Sequence, residues 1–333
     1  CKIYDRFLKI LLYKINISSN KDKGEYVMEN LLTTQAVTKS YGKQEALRDV
    51  SIHVRPGEVY GLIGKNGAGK STLFKVIMGL ARQDNGEISI YDQPSVENLV
   101  GKQKNIGFMF GSQFFPYLTA RENLVYTCKL KGITDKAEVD RVLSLVELDK
   151  VKKKVKSFSM GMKQRLNIAN ALVGKPDLII MDEPINGLDP QGIASFRGLV
   201  QKLNREQEIT FVLSSHILGE LGLMASRFGF IHEGELLSEV DREELLEKTE
   251  DQVIIKVDNA EKAAYLLEEH LSSLDYIVNG DKEIVLSDHI DETNKIAKIL
   301  VDGGVELYKL TPHQQTLEEY YLSLIHQGGQ ENV

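Results

Sequence analysis

The run Gly64-Lys65-Asn66-Gly67-Ala68-Gly69-Lys70-Ser71 limits the fold of this chain more than any other segment. It matches G-x-x-x-x-G-K-[ST], with Val59–Ile63 reading as a strand before it and Ser71–Met78 as a helix after it. Glycines let the backbone wrap tightly and turn N–H donors inward, and the positive end of the next helix adds to the field. Lys70 then supplies a point charge to the β- and γ-phosphates of a nucleotide, and the Ser71 hydroxyl is placed for Mg²⁺. A chance glycine-rich turn is the plain alternative, and the flanking strand and helix argue against it. Further on, the apolar run Leu178-Ile179-Ile180-Met181 ends in Asp182-Glu183. Burying carboxylates there is costly unless a cation or substrate compensates them. The pair predicts Mg²⁺ held by Asp182 through water and an attacking water polarised by Glu183.

The runs Val59–Ile63, Leu178–Met181, Thr210–Leu213 and Phe228–Ile231 are apolar on both faces. Such strands sit inside a parallel sheet covered by helices, so the chain from Met28 to Glu239 reads as α/β. Residues 119–156 form a helical insert, and a helical subdomain is expected over about residues 117–175. After Glu239 the order becomes β-α-β-β-α-β: Val253–Val257, Glu261–Leu271, Asp275–Val278, Glu283–Leu286, Glu292–Val301 and Val305–Lys309. That order matches the ferredoxin-like split unit, so residues 251–327 are expected to form a separate small α+β domain. Residues 1–27 fit the rest poorly. They are expected to be an upstream extension outside the fold, with Met28 as the natural start; an amphipathic membrane anchor is the other reading.

Composition narrows the class. The 333 residues carry 48 acidic and 41 basic side chains, a formal charge of −7. That balance argues against general nucleic-acid binding. Two cysteines, Cys1 and Cys128, exclude a disulfide scaffold and a thiolate zinc cage. No apolar run approaches the roughly 20 residues of a membrane-spanning helix.

With these motifs in place, the chain resembles the nucleotide-binding subunit of an ATP-binding cassette (ABC) transporter over roughly residues 31–239. The resemblance implies a P-loop NTPase cassette in which two copies sandwich two ATP molecules, each phosphate loop facing the other copy's signature segment. Here Ser159-Met160-Gly161-Met162-Lys163-Gln164-Arg165 is similar to that signature. The usual form is Leu-Ser-Gly-Gly-Gln, so Met160 and Met162 are departures, while Ser159 and Gly161 are retained for close approach to a γ-phosphate. Tyr41 matches the aromatic that stacks on adenine. Asp189, in Gly187-Leu188-Asp189, matches the loop that signals between the ATP sites. His216 matches the histidine that touches the γ-phosphate and orients the attacking water. The resemblance thus implies ATP contacts from Tyr41, Gly64, Lys65, Asn66, Gly67, Ala68, Gly69, Lys70, Ser71 and Thr72, with Ser159, Gly161 and Asp189 from the facing copy. Catalysis falls to Glu183 and His216, and Mg²⁺ to Ser71 and Asp182. The family's glutamine-loop position is ambiguous. Counting from the left places Gly111 in the slot and counting from Thr119 places Phe110 there, while Gln113 is the nearby side chain able to reach ATP and Mg²⁺.

The Met-rich signature and Asp182-Glu183-Pro184-Ile185-Asn186-Gly187-Leu188-Asp189-Pro190 look most like bacitracin-type and lantibiotic-immunity ATPases. Export of antimicrobial peptides is therefore expected, through a homodimer of these subunits docked on an integral permease at the cytoplasmic face of the membrane. Export of another drug or a lipid-linked polymer stays open. An ABC ATPase acting on ribosomes or DNA is disfavoured by one cassette, the absence of heptads and the two cysteines. Lys150, Lys152, Lys153, Lys154 and Lys156 read as a solvated face or as a contact for anionic lipid headgroups. Cys128 reads as a small buried hydrophobe.

Overall fold

The computed structural model describes residues 29–91, 93–94, 105–111, 114–248, 251–272 and 274–330. The expectations for residues 1–27 and for Gln113 fall outside the described residues. Contacts divide the chain into two units, 1–239 and 240–333. Among the described residues no helix is long and apolar enough to cross a membrane.

In chain order the first unit opens with β1 (Leu32–Tyr41), β2 (Gln44–Val50), β3 (His53–Val54) and β4 (Val59–Ile63). It continues with β5 (Asn85–Ile90), β6 (Gln93–Pro94), β7 (Ile106–Phe110) and β8 (Leu178–Asp182). It closes with β9 (Thr210–Ser215), β10 (Arg227–His232) and β11 (Glu235–Asp241). One sheet runs β2-β1-β5-β6, with β3 also on β1; the other runs β11-β10-β4-β9-β8-β7. Every pairing from β10 through β4, β9 and β8 to β7 is parallel. All five residues of β4 and all six of β9 are buried, the signature of strands covered on both faces. The parallel arrangement brings the carboxyl ends of β4, β8 and β9 to one edge, where open α/β sheets bind ligands. Two helices over residues 120–145 and the helix Met160–Leu172 form the helical insert between β7 and β8. Thr119 starts it with a capping box: its side chain accepts from Glu122 N, and the Glu122 carboxylate accepts from Thr119 N at 2.7 Å. Cys128 is buried on this insert, and burial pushes its thiol pKa up.

The second unit contains β12 (Asp251–Val257), β13 (Tyr276–Asn279), β14 (Glu283–Leu286) and β15 (Leu307–Gln314), in the antiparallel order β13-β14-β12-β15. Helices Ala260–His270 and Thr293–Asp302 complete the β-α-β-β-α-β order of a ferredoxin-like domain. Val253, Ile255 and Val257 point to one side at period two and join Leu267, Ile284, Leu286, Ile296 and Leu300 in the core. The last strand runs past its expected end at Lys309, through Pro312, to Gln314. It is an edge strand paired only with β12, and an edge tolerates a residue without an N–H.

Tyr60 is fully buried in β4, and its hydroxyl donates to Glu239 Oε1 at 2.9 Å. Glu239 also accepts from His53 N at 2.8 Å and Arg227 Nη2 at 3.0 Å. The ring fits because β10 carries a glycine, Gly229, two residues beyond the Tyr60 register partner Arg227, and a Cβ there would stand 2.1 Å from the Tyr60 hydroxyl. Gly229→Ala should destabilise the cassette by about 1–3 kcal/mol, read by denaturant unfolding. Burial, then the Glu239 charge, raises the Tyr60 pKa well above its ordinary value of 10.0. The folded state therefore holds this proton more tightly than the unfolded chain. The resulting stability is complete below about pH 10 and is lost as pH rises toward the folded value. Melting temperature should fall more steeply above that pH in the wild-type chain than in Tyr60→Phe.

Candidate active site

The loop from Gly64 to Gly69 leaves the buried end of β4 and enters helix Lys70–Ile77. Gly69 caps that helix at φ 110°, in the left-handed region, and a Cβ there would lie 2.8 Å from Ala46 O. Only glycine combines that backbone with that approach. The turn aims the Lys70 side chain back along its own loop, where Nζ donates to Gly64 O at 2.5 Å and to Lys65 O at 3.2 Å. Although 95% of Lys70 is withdrawn from solvent, its charge is compensated by Glu183 Oε1 at 3.2 Å.

The carboxylates come from β8, two strands away from β4, and β9 fills the gap between them. Asp182 Oδ2 accepts from Ser71 Oγ at 2.6 Å, and Asp182 Oδ1 accepts from Ser214 Oγ at 2.7 Å. The same Ser214 oxygen accepts from Glu183 N at 2.9 Å. Glu183 has φ 49°, a left-handed backbone for a residue with a Cβ, which costs on the order of 1 kcal/mol or more. Its Oε2 meets His216 Nδ1 at 2.7 Å. Its Oε1 is buried and makes no hydrogen bond of good geometry, so among the described residues the Lys70 ammonium compensates it. Such strain and such an underused oxygen are features that cluster at reacting sites.

A cleft of about 610 Å³ joins these groups. Tyr41, Lys65, Asn66, Gly67, Ala68, Gly69, Lys70, Ser71, Thr72 and Glu183 line it, together with Gln44, Glu45, Ala46, Arg48 and the turn at Glu233-Gly234. Tyr41 is half exposed at the end of β1, with the Lys39 ammonium 5.4 Å from its ring centroid. Gly64, Asp182 and His216 adjoin the cleft through Lys70, Ser71 and Glu183 respectively. Ser159, Gly161 and Asp189 are not among the lining residues. Ser159 caps helix Met160–Leu172 by accepting from Met162 N at 3.3 Å, and Asp189 caps helix Pro190–Gln207 by accepting from Gly192 N at 2.8 Å. Around Gly161 a Cβ would find nothing within 4 Å, so this helix tip is open to an incoming group.

Two contributors were not anticipated from the sequence. Ser214 ties both acids together, and its only signal was a serine directly after the run Thr210–Leu213, still within β9. Gln164, buried on the signature helix, donates from Nε2 to Pro184 O and accepts at Oε1 from Asn167 Nδ2 at 2.9 Å.

For a metal, the donor set at Ser71 and Asp182 is a hydroxyl beside one carboxylate, both hard oxygen ligands. Among the described residues no group of three or more His, Cys, Asp or Glu could hold an ion unaided. This fits Mg²⁺, which is bound by few protein ligands together with substrate phosphates.

A strand-loop-helix turn that grips one lysine, with acids delivered from a nearby parallel strand, defines a P-loop nucleotide-binding domain. A family profile described as ABC transporter matches residues 47–186. The bacitracin transport ATP-binding protein BcrA of Bacillus licheniformis is 39% identical over 308 residues, covering 91% of this chain and 99% of that protein. The lantibiotic transport ATP-binding protein SrtF of Streptococcus pyogenes is 38% identical over 221 residues, covering 66% of this chain and 95% of that protein. The dimeric post-hydrolysis structure of the ATP-binding cassette MJ0796, bound to ADP and Pi, superposes with a TM-score of 0.57 at 28% identity, covering 63% of this chain and 98% of that one. The chain belongs to the ATP-binding proteins of ABC transporters.

Ser214→Ala removes one hydroxyl from Asp182 and one acceptor from Glu183 N. Loss of such a supporting group should lower ATPase turnover or apparent Mg²⁺ affinity by about 10–100-fold. Steady-state assays across Mg²⁺ concentrations, with nucleotide affinity measured by calorimetry, read the effect.

Proposed function

We propose that this chain hydrolyses ATP to drive a bacterial exporter of antimicrobial peptides. The observation that carries the export reading is the length of the likeness to BcrA. The first unit ends at Glu239 of 333 residues, so an alignment covering 91% of the chain takes in most of the second unit as well. In this reading the chain works as a homodimer on an integral permease, at the cytoplasmic face of the membrane. The permease carries the peptide.

The chemistry asked of the chain is placement and charge compensation. Tyr41 offers a ring face to adenine, and stacking of that kind contributes about 1–3 kcal/mol without base-specific bonds. Backbone N–H groups of the 64–69 loop and the Lys70 ammonium receive the phosphates. When they do, Lys70 gains phosphate oxygens beside Glu183 and releases that carboxylate to accept from water. Mg²⁺, held at Ser71 and Asp182, would neutralise charge on the β- and γ-phosphates. Glu183 Oε1 is the oxygen placed to take the water's proton, and His216, paired to Oε2, fixes the carboxylate's rotation and reaches toward the γ-phosphate. Ser159 and Gly161 stand outside their own chain's cleft, which agrees with their service to the cleft of a second copy. Asp189 then lies along the seam between the two.

Two substitutions separate binding from chemistry. Glu183→Gln should bind ATP, accumulate as a dimer and lose about 10²–10⁴-fold in turnover, the usual worth of a general base. Lys70→Ala should lose nucleotide binding by calorimetry. Wild-type turnover in the first variant would remove Glu183 as the base, and undiminished affinity in the second would remove the loop. For the cargo, the intact chain expressed with its neighbouring permease should raise bacitracin or lantibiotic resistance, and Glu183→Gln should abolish that gain.

A further inference from the structure

The end of β1 is not held by a regular ladder. Against β2 the register slips between Val37 and Lys39 and again between Lys39 and Ser40, and against β5 it slips between Gln35 and Thr38. Such irregularities bend a strand and re-aim the side chains that follow, and they gather beside active sites. The side chain that follows here is Tyr41, paired with Gln44 across the hairpin and half exposed on the wall of the cleft.

Asp84, in the turn before β5, supplies the constraint that the ladder lacks. Its N donates to Thr38 O at 2.8 Å, its Oδ1 accepts from Lys39 Nζ at 2.8 Å, and its Oδ2 accepts from Ser40 N at 2.6 Å. Thr38, Lys39 and Ser40, the residues leading into Tyr41, are thus gripped from one position. The hydrogen bond from Lys39, then that from Ser40 N, holds the Asp84 carboxyl below its ordinary range, so the clasp stays charged at neutral pH. The Lys39 side chain is only 14% exposed, and its ammonium stands over the Tyr41 ring, close enough to be attracted to the ring face. Neither Lys39 nor Asp84 lines the cleft. The ammonium therefore backs the ring from outside the cleft and leaves a face of the ring for a base. A ring already held in place loses less freedom when a ligand stacks on it.

We propose that Lys39 and Asp84 are positioning residues for the base of the nucleotide: Asp84 fixes the Lys39 ammonium, and Lys39 fixes the Tyr41 ring in the pose on which adenine stacks. Neither touches the nucleotide. The proposal rests on the reading of Tyr41 as the adenine platform, and the test separates the two. A lysine that merely drew phosphate toward the cleft would act on base-free phosphates as well.

Calorimetry on the purified full chain with Mg²⁺ compares ADP with inorganic pyrophosphate, which has the phosphates without the base. Lys39→Met should weaken ADP binding about three- to tenfold and leave pyrophosphate binding unchanged. Asp84→Asn should act in the same direction on ADP alone. Lys39→Arg, whose guanidinium can pair with Asp84 and stack on the ring, should stay within about twofold of the wild-type chain. Tyr41→Ala should lose at least as much ADP affinity as Lys39→Met. The double variant should lose no more than Tyr41→Ala alone, because the lysine acts only through the ring. Equal losses for ADP and pyrophosphate overturn the proposal, since they mark a general weakening of fold or charge. Additive losses in the double variant overturn it too. Unchanged ADP affinity in Lys39→Met, beside a loss in Tyr41→Ala, removes the positioning role and leaves the platform. No loss in Tyr41→Ala removes the platform and the positioning role with it. Should Lys39→Met not fold, Asp84→Asn carries the same comparisons.

Discussion

Two adjacent carboxylates at the end of a buried strand repel one another and resist desolvation, and the site is organised around making that arrangement tolerable. Asp182 receives hydroxyls from both sides, Ser71 on the phosphate-loop helix and Ser214 on β9. Glu183 is turned away by a left-handed backbone, and its two oxygens are shared between a lysine and a histidine. Each partner arrives from a different element. The site therefore exists only when β4, β8 and β9 are in register, as they are at Gly61↔Leu213 and Met181↔Leu213. Removing a single partner from a compensated buried charge typically costs several kcal/mol, more than any one of these hydrogen bonds contributes. The phosphate loop, the acids and the sheet are in this sense one cooperative object.

A second polar path ties the helical insert to the same edge. Gln164 bonds to Pro184 O, immediately after Glu183, and Asn167 bonds to Gln164. One turn further along the helix, Asn170 Oδ1 accepts from Thr127 Oγ1 at 2.5 Å on the neighbouring helix. Buried amides satisfied in this way are costly to separate, so the loop after Glu183 and the helix headed by Ser159 are mechanically joined. A change of charge around Glu183 thereby has a short route to the helix tip.

What the sequence reveals depends on whether a property is local. The phosphate loop was legible because strand, glycines and helix are contiguous, and Asp182-Glu183 was legible because two acids ending an apolar run are anomalous in themselves. The β-α-β-β-α-β order of the second unit was legible from period alone. Ser214 was not, because a serine at a strand end carries no message until the neighbouring strand is known to be β8. Gly229 escaped for the same reason, since its purpose is to admit the Tyr60 ring from the strand beside it. β15 was expected to end at Lys309 and instead continues through Pro312 to Gln314, because whether a missing N–H matters depends on the strand lying at the edge.

The departures in the signature can be weighed by where their side chains go. A residue that must approach a phosphate needs its backbone uncovered, and Gly161 retains this with open space around its Cβ position. Ser159 keeps the extended backbone of a helix cap, and its oxygen accepts from Met162 N. Met162 thus contributes its backbone N–H to the tip, which any residue but proline supplies. Met160 reaches Gly187, its Cε lying 3.6 Å from where a Cβ would stand. A glycine at 160 would forfeit that contact with the loop leading to Asp189. On the proposed reading, in which Ser159 and Gly161 meet a phosphate, the two methionines substitute at positions where that work falls to other atoms, and Met160 adds an apolar contact between the helix tip and that loop.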